Sequence, residues 1–378
     1  MPNLSRVLGL RDLTLLIIGL VIGSGIFLVP GLVLKQVDNR VGVAMLVWLA
    51  GGVLSLLGAL TYGELSAGNP KAGGLYVFIR DAFGPLLAFL FGWSLFFAIG
   101  SGAVATLSVA FSKYLGEIIT LTPIWAKVVS VGMIMVVAGL NVWGTRRSSD
   151  VTNWGTIIKV GAIVTMSAAL LWLGDGLPAA SQSLWPAQVE GSLVSNFGIA
   201  MVSVLWAYEG WQFATFSAAN GIILTTPRVY YAMASDGVFF SSLARVHPRW
   251  RTPAVAIIAS ALWSSVLSML ATFGELLTYV VFTGWIFFGL AGASLFVYRK
   301  RTPEGFPSYR VPGYPVTPLL FILAACAVVI NTLIAQLRQS PLRTGMALGV
   351  ILLGVPAYFI WRSRSTTRFE PAPSPEAD

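Results

Sequence analysis

Ten apolar segments, most of them long enough to cross a bilayer as a helix, recur along the whole chain. A helix rises about 1.5 Å per residue, so about 20 apolar residues span a hydrocarbon core of about 30 Å. Only 10% of the 378 residues are charged, which excludes a soluble fold of this size. The sequence therefore predicts an all-α polytopic membrane protein. The predicted spans are 13–34, 41–65, 83–111, 124–142, 151–173, the long segment 195–227, 253–272, 275–298, 316–337 and 342–361.

The positive charges between these segments predict the topology. If successive loops lie on alternate sides of the membrane, 17 Lys and Arg residues fall on one side and 6 on the other. Cytoplasmic loops are the richer ones in Lys and Arg, which predicts ten crossings of a plasma or inner membrane with both termini in the cytoplasm. The same asymmetry explains the net charge of +9, so no nucleic-acid partner is expected.

The first segment carries helix-breaking residues at its middle, in Ile22-Gly23-Ser24-Gly25-Ile26-Phe27. A backbone break at that depth is tolerated only against protein or a water-filled cavity. Discontinuous helices near the membrane midplane form the substrate site of many transporters. The alternative interpretation is a face of small residues at which two helices pack.

A second interruption, Ala207-Tyr208-Glu209-Gly210-Trp211, divides the segment 195–227, and Asn220-Gly221 is the expected turn beyond it. Gly23 lies about 15 Å from the cytoplasmic end of its span, and Ala207 about 18 Å from the outer end of its own. Both interruptions thus fall near the midplane and are entered from opposite sides. This arrangement is typical of an inverted repeat with two discontinuous helices.

The two predicted repeats differ in length. Residues 13–173 hold five spans, whereas 195–298 have room for about three. The second repeat is therefore predicted to be shortened. The predicted division of the chain is a transport core over 1–298, two C-terminal helices over 311–362 and a polar cytoplasmic tail over 363–378.

Three charged residues lie inside predicted spans. Lys159, at a depth close to that of Gly25, either faces a cavity or a partner, where it could exchange protons, or extends its side chain to the inner headgroups. Glu209 either helps to form the site or reaches water through it. Glu64, near the cytoplasmic end of its span, is more often an interfacial charge than a gating residue.

Few residues in the sequence are suited to an enzymatic site. A membrane-embedded enzyme would need a cluster of His, Asp, Glu or Cys, but the chain has a single histidine, His247, and a single cysteine, Cys326. The Gly-x-Gly at 23–25 lacks the preceding strand and the third glycine of a dinucleotide-binding loop. We expect no enzymatic activity, no metal and no cofactor. A disulfide-linked accessory chain is also not expected, because Cys326 lies inside a span.

Four stretches together resemble the amino acid–polyamine–organocation (APC) superfamily of permeases, in its L-type amino acid transporter-like branch. They are Ile22–Phe27 with Pro30, similar to the first helix; Tyr62-Gly63-Glu64-Leu65-Ser66 through Gly92-Trp93, similar to helices two and three; Leu205–Trp211, similar to the broken sixth helix; and Pro227-Arg228 through Asp236-Gly237, similar to the end of helix eight. The resemblance implies a leucine-transporter-like fold whose first ten helices form two inverted repeats. It also implies sodium-independent uptake or exchange of amino acids by alternating access.

The resemblance further implies a substrate site. The amides around Ser24, Gly25 and Ile26 would bind the amino acid carboxylate, since a helix N-terminus favours an anion. The substrate ammonium would be bound by Ile22, Trp206, Ala207 and Glu209, and Trp206 would also act as an aromatic gate. Lys159 would stand in place of a coupling sodium ion.

The chain departs from this family pattern after Ala218. Ala219-Asn220-Gly221 leads straight into the ending of the eighth helix, so helix seven and part of helix eight are missing. The leading hypothesis is a permease for neutral amino acids. The alternative is an internally deleted remnant that does not transport.

Overall fold

The computed structural model describes residues 14, 18, 25–68, 73–173, 185, 191–208, 221–250, 252–301 and 309–364. Within these residues the regular elements are all helical. They are α1 Gly25–Gln36, α2 Val41–Gly68, α3 Leu75–Phe83, α4 Pro85–Ser94, a π-helical turn Leu95–Ile99, α5 Gly100–Ile118, α6 Pro123–Trp143, α7 Thr145–Leu173, α8 Gly191–Ala207, α9 Gly221–Ser235, a 3₁₀ turn Ser241–Ala244, α10 Ala254–Leu270, α11 Phe273–Arg301, α12 Val316–Gln339 and α13 Pro341–Arg364.

Long apolar helices confirm the prediction of an all-α polytopic membrane protein. In the described part of the chain, six helices are long and apolar enough to cross a membrane: Val41–Gly68, Pro85–Ile118, Pro123–Trp143, Asn153–Leu173, Phe273–Arg301 and Val316–Gln339. Shorter apolar helices lie at Ser195–Ala207, Ala254–Leu270 and Ala347–Ser363. The predicted segment 195–227 is not one helix, because α8 ends at Ala207 and α9 occupies Gly221–Ser235.

The short helix α3 is separated from α4 by Gly84, which has a φ of 91°. This left-handed conformation favours glycine, and Pro85 then occupies the first turn of α4, where its missing N–H costs nothing. Most of α3 is buried, including Tyr76 and Phe78. The Gly84-Pro85 step therefore divides α3 from α4, and α3 packs as a separate short helix against the ends of other helices.

Close packing of long helices forms the core. α11 packs along α12, where a Cβ added to Gly289 would lie 3.2 Å from Ala325 Cβ. α8 packs on α1, α2, α11 and α12. The π-helical turn has a partner in α10, because Trp263 Nε1 donates to the carbonyl oxygen of Phe97 at 2.9 Å. That bond fixes α10 against the π-helical turn.

The helix α7 has the least protein around it among the long spans. It packs mainly on α6, and Leu171 and Trp172 near its end are 88% and 90% exposed. In a helix of this hydropathy, apolar side chains that are so exposed are expected to contact lipid.

Candidate functional site

Gly25 of α1 and Ala207 of α8 are in direct contact. A Cβ added to Gly25 would lie only 2.7 Å from the Cα of Ala207 and 3.3 Å from its amide nitrogen. Both of these atoms belong to the backbone, so no side chain could rotate away to make room. The two backbones can approach this closely because residue 25 is glycine.

The helix α8 ends at the point of this contact. Tyr208, the next residue, lies in a turn, and its amide still donates to the carbonyl of Val204 at 3.0 Å. Trp206 and Ala207 are buried, and Ile26 on α1 is partly buried. The predicted interruption at Ala207 is thus confirmed as a helix end.

A pair of glycines on α2 receives the end of α8. A Cβ added to Gly51 would lie 2.5 Å from Val204 Cγ1, and one added to Gly52 would lie 3.0 Å from the Tyr208 hydroxyl. The Tyr208 ring also meets Trp48 edge to face, with ring centroids 5.8 Å apart. This wall of the site was not predicted from the sequence, although two adjacent glycines in an apolar span are typical of close helix packing.

A polar contact joins α1 and α8 further along. Ser203 Oγ donates to Gln36 Oε1 at 3.0 Å, and Ser203 is buried. Asn196 Nδ2 donates to Asp38 Oδ2 at 3.4 Å near the other end of α8. These two bonds hold α8, from Ser203 back to Asn196, against the end of α1 and the turn that follows it.

The predicted site residues therefore divide into three groups. Gly25, Ile26, Trp206 and Ala207 lie at or beside the meeting of α1 and α8. Ile22, Ser24 and Glu209 lie outside the described residues. Lys159 is partly buried on α7, whose main neighbour is α6, and its role in coupling stays a prediction.

A buried ion pair lies at the opposite end of α2, around Glu64. Arg299 of α11 donates to both carboxylate oxygens, with Nε to Oε1 and NH2 to Oε2 each at 2.7 Å. The amide of Val311 donates to the same carboxylate at 2.6 Å, and Glu64 is fully buried. The Arg299 guanidinium also lies 3.7 Å from the centre of the Tyr314 ring. Glu64 is thus a buried charge that is paired with Arg299 and with the amide of Val311, and its assignment as an interfacial or a gating residue stays a prediction.

A second charged cluster joins α3 to the end of α9. Arg80 NH1 donates to Asp236 Oδ2 at 2.8 Å, and the Tyr76 hydroxyl donates to the same oxygen at 2.7 Å. Burial raises the pKa of the Tyr76 phenol well above its ordinary value, and the charge of Asp236 adds to this effect. Tyr76 therefore keeps its proton and remains a hydrogen-bond donor to Asp236.

Neighbouring contacts extend this cluster to α11. Asp81, which also pairs with Arg80 at 3.0 Å, accepts a hydrogen bond from Tyr298 at 3.2 Å. Arg301, the last residue of α11, donates to the backbone carbonyl of Asp81. Three elements distant in sequence, α3, α9 and α11, are thus held together at one end of the bundle. The cluster was not predicted from the sequence, because its contacts between different helices join residues more than 150 positions apart.

In the described part of the chain, no group of three or more His, Cys, Asp or Glu residues is placed to hold a metal ion. What the fold presents is a bundle of apolar spans in which two helices meet through their backbones. The class it defines is a multi-pass helical membrane protein.

The chain belongs to the amino acid permease family. The family model with that description matches residues 8–215 and 212–356. These two matches include every span except the last few residues of α13, and they confirm the resemblance to the APC superfamily.

Three relatives at similar identity are known transporters or exchangers. The serine/threonine exchanger SteT of Bacillus subtilis is 26% identical over 443 aligned positions, covering 97% of this chain and 99% of that protein. The b(0,+)-type amino acid transporter 1 of Oryctolagus cuniculus is 26% identical, covering 80% of this chain and 78% of that protein. The cystine/glutamate transporter of Homo sapiens is 26% identical, covering 95% of this chain and 87% of that protein.

The same comparisons agree with the predicted internal deletion. The family match is split into two parts that meet at 212–215. The alignment with the Bacillus subtilis exchanger is 443 positions long, although this chain has only 378 residues. The relative therefore has segments that this chain lacks, as expected from the departure after Ala218.

Proposed function

We propose that this protein transports amino acids, most readily neutral ones, across a membrane by alternating access. The observation that carries the proposal is the backbone contact between Gly25 of α1 and Ala207 of α8. The contact lies in a member of a family whose relatives named above are amino acid transporters and exchangers.

The proposed site uses the opposite polarity of two helix ends. The exposed amides at a helix N-terminus carry partial positive charge, and the exposed carbonyls at a C-terminus carry partial negative charge. With α1 interrupted before Gly25, as the sequence predicts, its N-terminal end lies beside the C-terminal end of α8. A zwitterionic amino acid complements such a pair, with its carboxylate toward α1 and its ammonium toward α8.

The residues assigned to the two groups follow from this polarity. Amides around Ser24, Gly25 and Ile26 bind the carboxylate. The ammonium is bound by the backbone carbonyls of Ile22, Trp206, Ala207 and Glu209. Trp206 also covers the substrate, and its burial beside Ala207 supports that placement.

The proposal includes the finer architecture that the sequence predicts. It comprises ten crossings, cytoplasmic termini, a leucine-transporter-like inverted repeat within 1–298 and a shortened second copy. Lys159 supplies the positive charge that makes transport independent of sodium. Cys326 is exposed on the membrane span α12, which supports the absence of a disulfide-linked accessory chain.

Uptake of radiolabelled amino acids into proteoliposomes tests the proposal. We expect saturable uptake of neutral amino acids, with or without sodium, and faster exchange when the vesicles are preloaded with an unlabelled amino acid. Gly25→Val is expected to abolish uptake, because the larger side chain meets the backbone of Ala207.

Gly31→Val is the matched control on the same helix, since a Cβ at Gly31 meets nothing within 4 Å. Equal uptake by the Gly25→Val variant and the control would remove the site assignment. Strict sodium dependence would remove the role of Lys159.

The split of the family match at 212–215 is the observation behind one alternative, an internally deleted remnant of such a permease that does not transport. A monodisperse and protease-resistant preparation that neither binds nor transports any amino acid would establish this alternative.

A further inference from the structure

An open groove of about 400 Å³ lies between α6 and α10 at the surface of the bundle. Its walls are almost entirely apolar, and its volume is in the range of small-molecule sites. Met135 and Ile258, one from each helix, are both 46% exposed beside it. The groove is separate from the contact of Gly25 with Ala207 and from both charged clusters.

Small residues create the groove. Gly139 of α6 and Ala261 of α10 lie in its lining, and a Cβ added to Gly139 would meet nothing within 4 Å. The two helices still pack closely along their length. A furrow therefore remains between them that a flexible apolar chain can fill without any movement of the helices.

Two tryptophans line one end of this furrow. Trp143 is the last residue of α6 and is 53% exposed, and Trp250 lies in the loop before α10. The Trp250 ring is stacked on His247 with centroids 4.3 Å apart, and Thr252 Oγ1 donates to the carbonyl of Val142 at 3.0 Å. These contacts attach the loop to the end of α6. Tryptophans concentrate at the headgroup level of a bilayer, which places this end of the groove at a membrane interface.

The same end carries exposed arginine. Arg245 and Arg249 lie in the loop before α10, on either side of His247, and Arg249 directly precedes Trp250. Arg245 and Arg249 are exposed, and the Arg249 amide donates to His247 Nδ1 at 3.3 Å, which holds it next to Trp250. An apolar furrow that ends in clustered arginines is complementary to a lipid with an anionic headgroup.

We propose that the groove between α6 and α10 binds an anionic phospholipid, with an acyl chain along Gly139 and Ala261 and the phosphate toward Arg249. The positive-inside rule places this end in the cytoplasmic leaflet. The proposal does not depend on transport activity. This groove is expected to bind a lipid selectively, whereas the apolar surfaces of the other spans contact lipids without selectivity.

Tryptophan quenching by brominated lipids tests the proposal. The full-length protein is reconstituted in phosphatidylcholine vesicles that contain a minor fraction of acyl-brominated phosphatidylglycerol or, in parallel, the same fraction of brominated phosphatidylcholine. A Trp143→Phe/Trp250→Phe variant identifies the signal of the two groove tryptophans among the 13 in the chain. We expect these two tryptophans to be quenched at a lower fraction of phosphatidylglycerol than of phosphatidylcholine.

Two variants and a control locate the site. Gly139→Leu fills the furrow and is expected to abolish the selectivity, while Gly132→Leu on the same helix, also with nothing within 4 Å of its Cβ, is expected to keep it. Arg249→Gln is expected to weaken the preference for phosphatidylglycerol about five-fold, which corresponds to about 1 kcal/mol per basic residue.

Three results would overturn the proposal: equal quenching by the two lipids, equal loss of selectivity in the Gly139→Leu and Gly132→Leu variants, or unchanged selectivity in the Arg249→Gln variant. Quenching that falls for both lipids as the protein-to-lipid ratio rises would show that a second copy of the chain covers the groove instead.

Discussion

The meeting of α1 with α8 and the charged clusters at the ends of α2 and α3 are built in opposite ways. At the first, Gly25 and Ala207 touch through their backbones, and the nearest side chains are small or apolar. At the second, Glu64 and Asp236 each accept at least two hydrogen bonds, with an arginine among the donors. The first arrangement fails when an atom is added, and the second fails when a partner is removed.

The difference reflects what each region has to satisfy. In the proposed substrate site, backbone polarity can bind a zwitterion only if the two helix ends come close together, which requires small residues there. A buried carboxylate such as Glu64 is retained only where charge and hydrogen bonds compensate its desolvation. Glu64 therefore specifies where α11 and the residues after it, including Val311, lie relative to α2.

The largest effect is expected for Arg299→Gln. The substitution leaves the fully buried Glu64 without its guanidinium, which should lower the free energy of unfolding by about 3–5 kcal/mol. The free energy of unfolding is measured on the purified protein in detergent micelles. Arg338→Gln, at an exposed position in the last turn of α12, is the control and should change little. Equal stability of the two variants would contradict the structural importance of the Glu64 pair.

An intermediate effect is expected for Gly25→Ala. One added methyl group, 2.7 Å from the Ala207 Cα, should lower the free energy of unfolding by about 1–3 kcal/mol through overpacking. The same change at Gly31, which has open space around it, should be neutral or stabilising, because alanine favours helix over glycine by about 1 kcal/mol. If both variants unfold alike, the close approach of the two backbones is not a constraint.

The smallest effect is expected for the pair Arg80 and Asp236. Their side chains are 20% and 25% exposed, so water screens the interaction, and their coupling should be about 1 kcal/mol or less. A double-mutant cycle with Arg80→Gln and Asp236→Asn measures the coupling free energy, which should shrink as salt concentration rises. A coupling free energy as large as the loss of stability in Arg299→Gln would show instead that Arg80 and Asp236 behave like the buried pair of Glu64 and Arg299.

The helix end at Ala207 could be predicted from the sequence, because Glu209 and Gly210 interrupt an apolar run that is too long for one span. The bidentate pairing of Glu64 with Arg299 could not, since the two residues are 235 positions apart and either could have faced an interface. The glycine pair Gly51-Gly52 was visible in the sequence, but nothing local indicated that Tyr208 packs against it.

Local composition was enough to predict the apolar helices, the helix end within 195–227 and the family. Hydrocarbon forces each span to satisfy its own backbone hydrogen bonds, so the spans depend on local composition. The pairing of helix ends came from the folded structure alone: Gly25 with Ala207, Glu64 with Arg299, and Arg80 with Asp236. Those contacts depend on how distant helices pack against each other, and no local stretch of sequence contains that information.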